Sequence, residues 1–386
     1  MNLPAKFASD NPEWNLLLAA SSSAPSDSER IRRLLNKPPD WNGLLRLADR
    51  HGVSSLLYQN FLKIADAIPA SALAWLRQGY ERNVHKSLFL TRELVRILDH
   101  MEGLGITVIP YKGVVLSEIY YGDIAMRQSG DMDLLVRVRD VARLKDAVRA
   151  LGYTPRVPIP ENAESAYVAS GYEYTFDSPV GKNLLELQWA LQPRFYAVDF
   201  AMEGLFERAV EVTVAGRRVK TPSPEDLLLV LSIRAAKHVW GRLIWLCDIM
   251  QISQRKLDWE WILGQAKELG VKRILHVTLL LVNRLLGAKI PGKIENAIQA
   301  DLVAREFAEQ IALSIAAGVE YEERKISYFR LMMQLRERRW DRVRFCTRLT
   351  FTPGPGEWEA VRLPRVFFPL YRAVRLARLA GRFARE

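Results

Sequence analysis

The sequence predicts an α+β fold, in which a small mixed sheet with helices is flanked by helical regions on both sides. Apolar residues recur at helix spacing from Asp40 to Asp99. Short apolar runs typical of buried strands then alternate with helical patterns, and helical patterns alone return after Pro224. We therefore expect a helical N-terminal region at 1–99, a central α/β unit at 100–220, and a helical C-terminal region at 221–386 that ends in a basic tail at 361–386.

In the N-terminal region two apolar patterns have helix spacing. One comprises Trp41, Leu44, Leu45, Leu47 and Ala48, and the other comprises Leu90, Leu94, Ile97 and Leu98. Asp40 precedes the first pattern and is a suitable N-cap, because a short acidic side chain can accept hydrogen bonds from free backbone N–H groups.

The central unit reads as a β-α-β-α-β-β arrangement. The predicted elements are a strand at 106–109, a helix at 114–121, a strand at 132–138, a helix with Asp140 as its N-cap and Gly152 at its end, and strands at 172–176 and 183–190. About a hundred residues is enough for such a unit to enclose its own core.

The C-terminal region begins with a strong helix start. Ser223 is a suitable N-cap, and Glu225 and Asp226 place negative charge in the first turn. Pro353-Gly-Pro-Gly356 interrupts the helical pattern before the tail.

Composition and charge limit the function classes. The chain has 386 residues, 49% of them hydrophobic, and a formal net charge of +11, which favours a polyanionic partner such as nucleotide, nucleic acid or an anionic membrane surface. Much of this charge is local, because 361–386 contains seven arginines and one acid. A basic tail supplies affinity for phosphate without naming the ligand.

The sequence predicts a cytoplasmic protein without a transmembrane segment. Cys247 and Cys346 fit neither metal-ligand spacing nor a disulfide framework. The N-terminus does not resemble a signal peptide, and the longest apolar run, Leu227 to Ile233, is too short to span a bilayer.

The sharpest motif is Arg127-Gln-Ser129-Gly-Asp131-Met-Asp133. Residues two apart on a strand project from the same face, so Asp131 and Asp133 should point the same way and repel each other unless a cation lies between them. Mg²⁺ suits such a pair, and two such ions can clamp the attacking and leaving oxygens of a phosphoryl transfer. The alternative is a solvent-facing acidic pair with no function.

Basic and glycine residues precede this pair. Lys112-Gly113 lies between a predicted strand and a helix, where a free helix N-terminus and a close backbone approach favour phosphate. Arg127 and Ser129 can contact phosphate or orient Asp131. The alternatives are a tight turn with a surface lysine, a structural salt bridge and a turn hydroxyl.

Together, these motifs resemble the polymerase-β-like nucleotidyltransferases. The resemblance includes Lys112-Gly113, Arg127, the Asp131-Met-Asp133 strand and Leu151-Gly-Tyr153, and it is closest to a bacterial branch of uncharacterised nucleotidyltransferases that opens with Lys-Gly. It implies a polymerase-β-like palm at the centre of the chain. Abortive-infection toxin enzymes have a similar arrangement.

The resemblance also implies further site residues. It places a third metal carboxylate at Glu186, with Gln188 where a histidine is often found. Lys237 and Asp248 match the later Lys and Asp of the toxin-like relatives loosely. From the residues alone, Asp248 is more often a structural partner of Arg234 or Arg242. His238 and four tryptophans, Trp41, Trp240, Trp245 and Trp261, are better read as packed residues.

The implied activity is transfer of a nucleoside monophosphate from an NTP to a hydroxyl acceptor, with two Mg²⁺ ions on Asp131, Asp133 and Glu186. The acceptor can be RNA, protein, peptide or a small molecule, and the alternative is a non-catalytic relative that binds nucleotide or RNA. In the tail, the arginines 372, 375, 378, 382 and 385 form one broad helix side, while Leu376, Leu379 and Phe383 form another. We expect the apolar side to dock and the basic side to bind RNA or another polyanionic acceptor.

Overall fold

The structure of the protein is a computed structural model. It describes residues 11–22, 27–159, 161–178, 180–319, 326–353, 357, 360–361 and 363–383. The helices preceding the sheet are α1 (Pro12–Ser21), α2 (Asp27–Leu34), α3 (Trp41–His51), α4 (Ser54–Leu62) and α5 (Ala70–Gly103). The elements of the central unit are β1 (Val108–Pro110), α6 (Gly113–Tyr121), β2 (Met132–Val136), α7 (Val141–Ala150), β3 (Thr154–Pro155), α8 (Glu161–Ser170), β4 (Glu173–Ser178), β5 (Gly181–Gln188), α9 (Met202–Glu207), β6 (Val210–Val214) and β7 (Arg217–Thr221).

The C-terminal region is helical. Its helices are α10 (Pro224–Lys237), α11 (Leu243–Ser253), α12 (Trp259–Glu268), α13 (Lys272–Leu286), α14 (Gly292–Gln299), α15 (Leu302–Ala316), α16 (Ile326–Gln334), α17 (Arg339–Phe351) and α18 (Tyr371–Phe383). The predicted α+β class, with a small mixed sheet between helical regions, is confirmed. In the described part of the chain, none of the helices combines the length and apolarity that crossing a membrane requires.

The main sheet has the order β1-β2-β5-β4-β3. Strands β2 and β5 are parallel, and the other neighbouring pairs are antiparallel. In the parallel pair, Asp133 lies opposite Glu186. The register therefore puts both side chains on the same face of the sheet.

This sheet separates two hydrophobic cores. On β2, Met132, Leu134 and Val136 belong to the core beneath α5 and α7, while Leu135 belongs to the core formed by the N- and C-terminal helices. Because successive strand residues alternate between faces, Asp133 points, like Leu135, toward the N- and C-terminal helices. That side is where a cation from the C-terminal helices can reach it.

The N-terminal and C-terminal helices share one core. It includes Leu17 and Leu57 from the N-terminal region and Leu229 and Leu279 from the C-terminal region. The division of the chain near 99 and 220 remains a prediction, since α5 crosses the first of these boundaries.

The predicted helix caps differ in outcome. The Ser223 hydroxyl accepts a hydrogen bond from the Asp226 N–H at 3.1 Å, as a capping side chain does. Asp40 and Asp140 occupy the N-cap positions of α3 and α7, but their side chains make no capping hydrogen bond. Sequence patterns did not predict α8 or the β6–β7 hairpin.

The tail helix α18 docks differently from the prediction. Its buried side chains are Tyr371, Arg375 and Leu379, while Leu376 is 41% exposed, so the predicted apolar side was wrong at Leu376. Arg375 lies 3.4 Å from the Glu357 carboxylate, and this ion pair explains how an arginine occupies the buried side. The side chains of Arg382 and Phe383, and all of Arg385, lie outside the described residues.

Candidate active site

A cavity of about 400 Å³ opens between the start of β2 and the C-terminal helices α10 and α11. The structure brings together six residues that the sequence singled out, because the cavity is lined by Lys112, Arg127, Ser129, Asp131, Asp133 and Asp248. Three further cations line the same cavity: Lys86 from α5, Arg234 from α10 and Arg242, which precedes α11.

The backbone at Gly113 explains why the lysine and the two aspartates meet. Gly113 has φ +63°, and a Cβ added there would lie 3.2 Å from the carbonyl oxygen of Asp131. A side chain is disfavoured both by this backbone conformation and by the close approach. The glycine therefore allows the start of α6 to pack against the loop that carries Asp131.

Lys112 and Asp133 form a buried ion pair. The Lys112 Nζ contacts Asp133 Oδ1, and the two side chains are 4% and 2% exposed. Burial, followed by the charge of Arg234, lowers the pKa of Lys112 to about 8. The pKa of Asp133 is lowered despite its burial, because the charges of Lys112 and Arg234 favour its ionised form.

The pKa of Asp131, unlike that of Asp133, is raised. Burial raises the pKa of its carboxyl, and the charge of Asp133 raises it further. In the ranges that the structure describes, its side chain makes no direct ion pair or hydrogen bond. An additional cation would thus favour the ionised form of Asp131.

Glu186 lies opposite Asp133 on the neighbouring strand β5, but it does not line the cavity. The Gln188 amide donates to Glu186 Oε2 at 2.7 Å and approaches Asp133 Oδ1 at 3.4 Å. Burial, followed by the charges of Asp133 and Glu173, raises the pKa of Glu186 to about 8. Glu186 is therefore a second carboxyl for which the charged form is costly.

The donor chemistry of Asp131 and Asp133 fits a hard divalent cation, because both are carboxylates in a partly desolvated cavity. Among the described residues, however, no group of three or more His, Cys, Asp or Glu side chains is arranged to hold a metal ion. Glu186 as third ligand therefore remains a prediction.

Arg127 and Asp248 form the second buried ion pair of the cavity. The Arg127 Nε donates to both Asp248 oxygens, at 3.0 and 2.9 Å, and Nη1 donates to Ser129 Oγ at 3.0 Å. The Tyr121 hydroxyl donates to Asp248 at 2.8 Å. Pairing of Asp248 with Arg234 or Arg242 was therefore the wrong expectation. The pair connects the loop before β2 with α11.

Arg234 is one of three cavity cations, with Lys86 and Arg242, that the sequence did not predict as site residues. It lies on α10 and interacts electrostatically with Asp133, Tyr111, Glu186 and Asp131, which keep its pKa raised despite burial. A signal was available, because Arg234 directly follows the apolar run that ends at Ile233. A lone arginine in such a helix requires an anionic partner.

The remaining predicted residues lie around the cavity. Lys237 is outside the lining, with its ammonium 5.3 Å from the centre of the Tyr172 ring, so its role in nucleotide binding stays a prediction. Trp240 is completely buried, as predicted, whereas Trp245 is partly buried and lines the cavity. Trp41 and Trp261 are partly buried against the helical core, and the His238 ring packs 5.3 Å from Trp245.

Comparison with known proteins gives a family and one structural likeness. An antigenic nucleotidyltransferase-like protein from Paracoccidioides brasiliensis is 15% identical, with a TM-score of 0.34, and the match covers 55% of this chain and 92% of that protein. No curated protein matches the chain. The model of a family described as uncharacterised nucleotidyltransferases matches residues 37–287, a span that contains the whole cavity lining. The chain belongs to this family of uncharacterised nucleotidyltransferases.

Proposed function

We propose that the chain is a magnesium-dependent enzyme that transfers a nucleoside monophosphate from an NTP to a hydroxyl acceptor, and that it belongs to the Lys-Gly branch of its family. The observation that carries the proposal is the cavity, in which the Asp131 and Asp133 carboxylates stand among five cationic side chains. Carboxylates suit metal ions, and cations suit the negative charge of a triphosphate.

In this reaction the acceptor oxygen forms a bond to the α-phosphorus of the NTP. The bond from that phosphorus to the bridging oxygen breaks, pyrophosphate leaves with the electron pair, and the hydroxyl proton is released to water. Bound Mg²⁺ would activate the acceptor hydroxyl and neutralise phosphate charge. Asp131 and Asp133 would hold it, with Glu186 as the proposed third ligand.

The chain's own side chains position the triphosphate. Arg234 and Arg242 both line the cavity, Arg234 close enough to interact with Asp133, and both can pair with phosphate oxygens in a planar, two-point geometry. Arg127 is held by Asp248 and Ser129, so it offers a fixed positive charge. Such preorganised charges stabilise the charge that develops on the phosphates.

The test is transfer of radiolabel from each of the four α-labelled NTPs to total RNA, cell protein and small hydroxyl compounds, with Mg²⁺ or with EDTA. We expect one class of acceptor to be labelled only with Mg²⁺. Asp131→Asn should abolish labelling, because it removes a cavity carboxylate, while exposed Glu211→Gln should retain it. Retained activity in Asp131→Asn would contradict the proposed metal ligand.

A second candidate is a non-catalytic nucleotide- or RNA-binding protein. The observation that favours it is that Lys112 and Gln188 already satisfy Asp133 without a metal ion. This alternative predicts NTP binding of equal affinity with Mg²⁺ and with EDTA, and no labelled acceptor. Isothermal titration with NTP under both conditions separates the two candidates.

A further inference from the structure

A second cavity, of about 290 Å³, adjoins the candidate active site. Both cavities are lined by Asp49, Lys86, Gln128 and Ser129. The second cavity extends along α5, which contributes five of its lining residues. It therefore provides a surface groove that leads to the loop carrying Asp131.

One face of α5 forms the wall of this groove. Trp75, Gly79, Arg82 and Lys86 follow one another at spacings of four, three and four, which places them on one side of a helix. At 1.5 Å per residue, the row is about 16 Å long. This length suits an extended chain better than a single small molecule.

The indole of Trp75 stands open on this face. Trp75 is 36% exposed, and Gly79 follows it one turn later. A Cβ at Gly79 would meet only the tip of Arg82, at 3.8 Å, so the space beside the indole is free. Glycine within a helix costs roughly 1 kcal/mol relative to alanine, so helix stability does not explain its presence.

The groove also has unpaired polar groups. Arg82 and Lys86 are exposed, and neither forms an ion pair with any residue that the structure describes. A Cβ at Gly130, next to Asp131, would lie 3.9 Å from the Lys86 Nζ. Ser54 lines the groove and is 2% exposed, and its hydroxyl has no hydrogen-bond partner in the described parts of the chain.

We propose that this groove binds the end of a single-stranded nucleic acid as the acceptor. A base stacks on Trp75, backbone phosphates contact Arg82 and Lys86, and the terminal hydroxyl lies near Asp131. An aromatic platform beside a row of cations is the combination that binds single strands without sequence preference. An acidic peptide would use the two cations but has no base to stack on the indole. The proposal rests on the proposed transferase function and names its acceptor.

The first test measures binding of a short fluorescein-labelled single-stranded RNA to the full chain by fluorescence anisotropy. Loss of one stacked base should make Trp75→Ala bind roughly 5- to 150-fold more weakly. The matched control is Trp340→Ala, because Trp340 is 72% exposed on α17, away from the groove. Equal affinities of these two variants would overturn the proposal, provided that both retain the wild-type thermal midpoint.

The second test uses the salt dependence of binding. Removing one phosphate-contacting cation from a single-strand site should reduce the slope of log Kobs against log salt by about 0.7. We expect this for Arg82→Ala but not for Arg77→Ala, since Arg77 lies on the same helix, outside the groove, and pairs with Glu81. An unchanged slope for Arg82→Ala would overturn the proposed phosphate contact. If polyglutamate displaced the RNA equally from wild type and Trp75→Ala, the indole would not stack on a base, and an acidic peptide would be the better partner.

Failure of this inference and failure of the transferase function are distinguishable. NTP binding, measured by isothermal titration, should be the same in Trp75→Ala and wild type. Labelling of a non-nucleic acceptor without RNA binding would overturn the groove assignment alone. RNA binding that depends on Trp75, without transfer to any acceptor, would support the groove and remove the transferase function.

Discussion

The pH dependence of stability should report the environment of Glu186. Its pKa is raised from 4.5 to about 8, mainly by burial and then by the charges of Asp133 and Glu173. The folded protein therefore keeps this carboxyl protonated at neutral pH, whereas the unfolded chain ionises it. The resulting contribution to stability is complete below about pH 4.5 and is lost as the pH rises through about 8.

The magnitude follows from the difference between these pKa values. At about 1.4 kcal/mol for each tenfold change in proton affinity, it amounts to about 4–5 kcal/mol of unfolding free energy. Because whole domains are stable by about 5–15 kcal/mol, such a loss is readily measured. Glu186→Gln keeps the shape of the side chain and removes its titration.

The assay is urea unfolding of the EDTA-treated protein, followed by circular dichroism from about pH 5 to about pH 9. Wild type should lose stability across this range, and Glu186→Gln should lose several kcal/mol less. Exposed Glu211→Gln should follow wild type. Parallel curves for wild type and Glu186→Gln would refute the reasoning. If Glu186 is a metal ligand, added Mg²⁺ should stabilise wild type more than Glu186→Gln at about pH 8.

Two further predictions concern buried ion pairs. Asp133→Asn leaves Lys112 buried without its partner and should lower the free energy of unfolding by about 3–5 kcal/mol. Asp131→Asn removes a carboxyl whose pKa is raised by burial, so it should leave the thermal midpoint unchanged or higher. Equal losses of stability for the two variants, measured by scanning fluorimetry near neutral pH, would contradict this contrast. In the tail, Arg375→Glu should destabilise the protein, because Arg375 is buried against Glu357. Arg372 is exposed, so Arg372→Glu should keep the thermal midpoint. It should only weaken binding of a polyanionic acceptor and reduce the salt dependence of that binding. Identical melting of the two tail variants would show that the ion pair with Glu357 is unimportant.

Local patterns in the sequence predicted the helical regions on both sides of the sheet and most elements of the central unit. Helix periodicity identified α5 and α6, and a short apolar run identified β2, because both signals lie within one short segment of the chain. Short motifs, Lys112-Gly113 and Asp131-Met-Asp133, singled out the residues that the tertiary structure places around one cavity. Less regular segments, such as α8 and the β6–β7 hairpin, gave no comparable signal.

Only the tertiary structure decided the partners of these residues. Arg127 pairs with Asp248, 121 residues later, and Arg234 reaches the aspartates because α10 packs on the helical side of the sheet. The groove beside Trp75 likewise exists only because α5 passes the loop before β2. Such contacts depend on how distant segments pack, and the spacing of residues along the chain does not encode that packing.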